Sequence, residues 1–155
     1  MKRKTFLFSL VALFAAAVVC FAAEDVSMGT WKLNEAKSKI SPGTVKNVTV
    51  VYAAAGDSVK ITVDGVDADG KPAHNEWTGK FDGKDYPVTG DPASDTRAYE
   101  RVNDHTLAVT NKKGGKVTVT VRVVEAADGK SRTVTFDGTD AKGKKFSNTA
   151  VYDKQ

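Results

Sequence analysis

The chain has 155 residues, long enough to bury a core and too short for two ordinary domains. Its 23 basic and 19 acidic residues give a net charge of +4, and three of the basic ones are Lys2, Arg3 and Lys4. Without those three the balance is 20 against 19, a net charge of +1, so the basic pI gives no ground for a nucleic-acid partner.

Lys2–Lys4 precede Phe6–Phe21, a run that is apolar apart from Ser9. Cys20-Phe21-Ala22 closes the run with small residues where a signal peptidase reads, and Glu24-Asp25 begins a polar chain. This is the layout of a secretory signal peptide. Residues 1–22 are expected to be the signal, cleaved after Ala22 or Ala23. Residues 23–155 then form one exported domain, periplasmic or extracellular, with no membrane insertion after cleavage. An uncleaved anchor is the rival reading, although the run falls short of a comfortable span of ~20 residues. Lipidation at Cys20 is another, against which Val19 is larger than processing prefers. Cys20 is the only cysteine, so the mature chain has no disulfide. A domain of this size can fold without one.

Gly29–Asn34 reads as a short strand in which Trp31 and Leu33 alternate with Thr30 and Lys32. Asn34 caps a predicted helical turn that runs through Lys39, and Ser41-Pro42-Gly43 ends it. From Val45 onward the chain reads as a meander. Val48 and Val50 mark the buried face of Lys46–Tyr52, and Val59, Ile61 and Val63 that of the next strand. Ala73–Phe81 carries Trp77; Tyr86-Pro87-Val88, Thr96–Val102 and Leu107-Ala108-Val109 follow. In Lys116–Asp137, Val117, Val119, Val121 and Val123 share one face, and Val134 and Phe136 face them across an Asp128-Gly129 turn. Ala141-Lys142-Gly143 turns into the last strand, Phe146–Tyr152. Asp-Gly-Lys recurs at Asp69, Asp82 and Asp128 as turn chemistry. About ten short strands with brief connections predict an all-β fold: an antiparallel up-and-down meander closing into a barrel of about 8–10 strands.

Gly29-Thr30-Trp31-Lys32-Leu33 resembles the Gly-x-Trp opening of lipocalins and fatty-acid-binding proteins. The resemblance implies a lipocalin-like barrel with the tryptophan closing one end. Gly29–Asn34, Lys37–Gly43, Asp82–Gly90, Val123–Gly129 and Val151–Gln155 resemble a group of small exported bacterial proteins of unassigned function. That likeness implies export and a barrel, not an activity. The chain departs from lipocalins in ending on a strand. It departs from fatty-acid-binding proteins in having room for only a turn or two of helix after the first strand.

Arg97-Ala98-Tyr99 resembles the Arg-x-Tyr pair with which fatty-acid-binding proteins hold a ligand carboxylate. In that family the pair lies on the last strand, whereas here more than fifty residues follow it. The residues allow either facing of the strand, and the misplaced match favours Arg97 in solvent. Trp31, Trp77, Tyr86, Arg97 and Tyr99 are the candidate ligand-binding residues, with barrel-end packing as the competing role of the aromatics. His74 and His105 lie on different segments, with His105 expected in solvent at an Asn-Asp-His turn, and no metal site is expected. Asp64, Asp67 and Asp69 approach a calcium-loop spacing without its terminal glutamate. No Gly-x-Ser-x-Gly elbow and no mature cysteine is present, so no enzyme activity and no cofactor are expected. The sequence reading is therefore an exported binding protein for an apolar or amphipathic small molecule, with a filled-barrel envelope component as the alternative. An enclosed cavity of roughly 300 Å³ or more in the barrel interior separates the two.

Overall fold

Period-two alternation is carried through into ten strands. The computed structural model describes residues 25–139 and 143–155. The expected signal peptide lies outside the described residues, as do position 140 and the first two residues, 141 and 142, of the last predicted turn. The strands are β1 (Gly29–Leu33), β2 (Lys46–Ala55), β3 (Ser58–Val66), β4 (Pro72–Gly79), β5 (Asp82–Thr89), β6 (Thr96–Asn103), β7 (Thr106–Lys113), β8 (Lys116–Glu125), β9 (Ser131–Thr139) and β10 (Lys145–Lys154). Each pairs antiparallel with the next, and β1 pairs with both β2 and β10, so the meander closes into a barrel. Closure removes the open sheet edges that a meander would otherwise expose.

The barrel has a closed end and an open one. Residues 25–28 and the turns after β2, β4, β6 and β8 lie at the closed end; the connections after β1, β3, β5 and β7 surround the mouth. The predicted helical turn is a single 3₁₀ turn, Glu35–Lys37, shorter than expected. Asn34 caps it as predicted, its Oδ1 accepting from the Lys37 N–H. The following loop is held over the wall because Asn148 accepts from the Ser41 N–H and donates to Thr44 Oγ1.

Three irregularities change the predicted faces. A register shift between Asn47 and Thr49 places Val48 at a bulge, so Asn47, not Val48, lines the interior with Val50 and Tyr52. A second shift, opposite Thr118, breaks the row of valines: Val123 is buried, Val119 and Val121 line the lumen, but Val117 is 56% exposed. A third shows that Asp82-Gly83-Lys84 is not the hairpin turn it was read as. It lies inside β5, where the register slips between Asp82 and Asp85 and Gly83 adopts φ 76°. Each bulge puts two residues against one on the partner strand and turns the next side chain over.

The core fills the closed half. Trp31, Ile61, Trp77 and Leu107 are almost wholly buried, with Val50, Val63, Val109, Val123 and Val134 packed around them. Gly79 has a steric reason to be glycine: a Cβ there would come within 2.6 Å of both the Trp77 and Tyr86 rings.

Candidate functional site

The lumen above the aromatic floor is an open cavity of about 470 Å³. Beneath it lies a smaller space of about 70 Å³, and Asn47, Arg97, Asn111, Phe136 and Tyr152 line both, forming a waist. The upper cavity is two-sided. Ile40, Val45, Val119, Phe136, Phe146 and Ala150, from the β1–β2 loop, β8, β9 and β10, make a mainly apolar wall, interrupted by Thr44, Thr118, Thr139 and Asn148. Asn75 on β4, Asp91 after β5, Arg97 on β6 and Asn111 on β7 make a polar wall opposite.

Arg97 organises the polar wall. It points inward and is only 7% exposed, which corrects the expected solvent facing. The reason is register: Arg97 is paired in the ladder with Tyr86 on β5 and Asn111 on β7, and shares its face with Tyr99. Its Nε donates to Asn111 Oδ1 at 2.8 Å and Nη1 to Asn75 Oδ1 at 3.3 Å. Nη2 donates to Asp91 Oδ2 at 3.1 Å, an ion pair whose side chains are 8% and 16% exposed. A buried guanidinium needs such compensation, and here the protein supplies it internally. Asp91 is held in place in turn, since its Oδ1 accepts from the Ala93 N–H at 2.9 Å.

The five predicted residues divide by depth. Arg97 and Tyr99 line the lumen. Trp31, Trp77 and Tyr86 lie below it as packing. Trp77 sits 4.5 Å from Tyr99, ring to ring, and 5.8 Å edge-on from Tyr86, and its Nε1 donates to the Arg97 carbonyl at 2.8 Å. The floor is thereby tied to the backbone of the residue above it. Trp31 closes the end as the resemblance implied: it is fully buried, and its Nε1 donates to the Ser27 carbonyl. The Arg132 guanidinium stacks 4.4 Å above Trp31, 4.7 Å from Tyr52 and 5.3 Å from Tyr152. The amides Asn47, Asn75 and Asn111, the acid Asp91 and the inward Arg132 escaped the sequence reading. His105 lies in the expected turn and is half-buried, with its Nδ1 inside. Among the described residues, no three His, Cys, Asp or Glu side chains converge to hold a metal ion.

Two tyrosines beside the waist have a measurable consequence. Burial raises the Tyr52 hydroxyl well above its ordinary range, aided by the neighbouring Tyr99 and opposed by Arg132. Burial pushes Tyr152 up to about 12, again against Arg132. Folded protein therefore keeps these protons when unfolded chain releases them near pH 10. Stability is intact below pH 10 and falls as pH rises toward about 12. Tyr152 alone accounts for about 3 kcal/mol of that loss, because each tenfold change in proton affinity is worth ~1.4 kcal/mol. Spectrophotometric titration should show Tyr52 and Tyr152 ionising only as near-ultraviolet dichroism is lost. Ionisation of both near pH 10 in a still-folded protein would contradict the burial.

No protein-family model matches the sequence, and no curated protein matches it. The chain is similar to a solved redesigned β-barrel, mFAP1, bound to DFHBI, at 14% identity and a TM-score of 0.46, covering 83% of this chain and 95% of that one.

Proposed function

We propose that this protein is an exported, lipocalin-like binding barrel whose upper lumen holds an apolar or amphipathic small molecule without chemical turnover. The observation that carries the reading is the two-sided cavity of about 470 Å³, within the range of about 300–1,000 Å³ typical of small-molecule sites. Its apolar wall supplies burial, and a few converging polar groups on the other side supply orientation. The filled-barrel alternative is disfavoured by the open upper half, although the lower half is packed with aromatic rings. Export is supported by the basic Lys2–Lys4 followed by the apolar Phe6–Phe21.

Native mass spectrometry of protein recovered from periplasm or medium tests both parts. The expected species lacks its first 22 or 23 residues and carries a bound small molecule released by mild activation. Full-length protein found only in the membrane fraction would refute export. A bare mass, both as recovered and after incubation with total lipid extract, would refute ligand binding.

A further inference from the structure

The polar wall is specific about what it has left to offer. An arginine can only donate, so Asn75 and Asn111 must turn their carbonyl oxygens toward Arg97. What remains of each amide for the lumen is its N–H₂ group. Arg97 has five N–H donors and spends three on Asn111, Asn75 and Asp91. Asp91 spends one carboxylate oxygen on Arg97 and the other on the Ala93 N–H. Apart from the second lone pair on each Asp91 oxygen, the wall therefore presents donors, and its buried cation Arg97 is already neutralised. Among the described residues, the other cationic one lining the cavity is Lys113, which stands exposed at the rim, where water screens its pull on an anion.

We propose that the lumen selects a neutral amphiphile bearing a hydrogen-bond acceptor, such as the carbonyl of an ester, amide or ketone, and that Asp91 excludes the matching carboxylate. The inference rests on the lumen-binding reading. A carbonyl oxygen between Asn75, Asn111 and Arg97 accepts the spare N–H groups and adds no charge. The apolar remainder then lies against Phe136, Phe146 and Val119. A carboxylate in the same place would sit beside Asp91, a like charge in a largely desolvated site; Arg97 is already paired, and the other buried guanidinium, Arg132, lies below the waist against Trp31, Tyr52 and Tyr152. Asp91 thus sets specificity by occupying the counter-charge that an acid would need.

Calorimetric titration at neutral pH with lauric acid, methyl laurate and lauramide tests this, using wild type and Asp91→Asn. Wild type should bind the ester and the amide at least about tenfold more tightly than the acid, the ratio that corresponds to about 1.4 kcal/mol. Asp91→Asn keeps the size of the side chain and releases the Arg97 charge, so the acid should gain at least tenfold while the ester changes little. A melting curve confirms that the variant is folded, and the wild-type ratio decides the proposal if it is not. Acid binding as tight as ester binding in wild type overturns the selectivity and leaves the lumen-binding reading intact. An unchanged ratio in a folded Asp91→Asn protein overturns the role of Asp91. Failure of every compound to bind overturns the lumen-binding reading and this inference with it.

Discussion

Trp31→Ala should lower the unfolding free energy by about 3–5 kcal/mol, the range for removing a large buried aromatic side chain and leaving a cavity. Three local facts place it toward the upper end. The ring is fully buried. Its Nε1–H is the donor to the Ser27 carbonyl, which would be left without it. It is also one of three rings against which the buried Arg132 guanidinium lies, at 4.4 Å. Two of that residue's nitrogens, Nε and Nη1, have no hydrogen-bond partner among the described residues; its guanidinium lies against three aromatic faces, with the buried Glu125 opposite it in the ladder. Trp31→Phe should cost less, about 1–2 kcal/mol, because a ring remains under Arg132 while the donor is lost. Urea unfolding followed by the fluorescence of Trp77, the other tryptophan, measures both. An alanine variant within about 0.5 kcal/mol of wild type would mean that Trp31 does not anchor the closed end.

The alternation of Val59, Ile61 and Val63, and of Trp31 with its neighbours, is visible in the sequence because strand geometry is local. The barrel follows from it, since short connections leave each strand only its neighbour to pair with. The bulges are not local. Whether Val48 or Val117 faces in depends on how many residues the partner strand sets opposite, and that is fixed by pairing across the sheet. The polar wall lies between these cases. Asn75, Asp91 and Asn111 stand 22, 6 and 14 positions from Arg97, and each alone resembles a turn or surface residue. Yet Asn75 lies two residues before Trp77, Arg97 two before Tyr99, Asn111 two after Val109 and Asn148 two before Ala150. Period two places all four on the same face as a buried neighbour. The solvent facing predicted for Arg97 gave too much weight to its charge and too little to the neighbour that fixes its direction.

Arg97→Ala should destabilise the barrel by about 3–5 kcal/mol, as breaking a buried ion pair does when one charge is left uncompensated. The side chain removed makes three hydrogen bonds, and its loss strands the Asp91 carboxylate together with two amide carbonyls. Asp91→Ala should cost less. Asp91 lies on the mouth loop and is the more exposed partner, at 16% against 8%, and Arg97 would keep both of its asparagines. The double variant should be more stable than the sum of the two losses predicts, by a coupling of about 1–3 kcal/mol, because the second deletion removes the charge that the first one stranded. Denaturant unfolding of the four proteins provides the cycle. Trp77 is a suitable probe because its bond goes to the Arg97 backbone carbonyl, which the substitution leaves in place. A solvent-facing Arg97 makes a different prediction, a loss below about 0.5 kcal/mol with no coupling to Asp91. That outcome would remove the polar wall, and the basis for selecting an acceptor-bearing ligand would go with it.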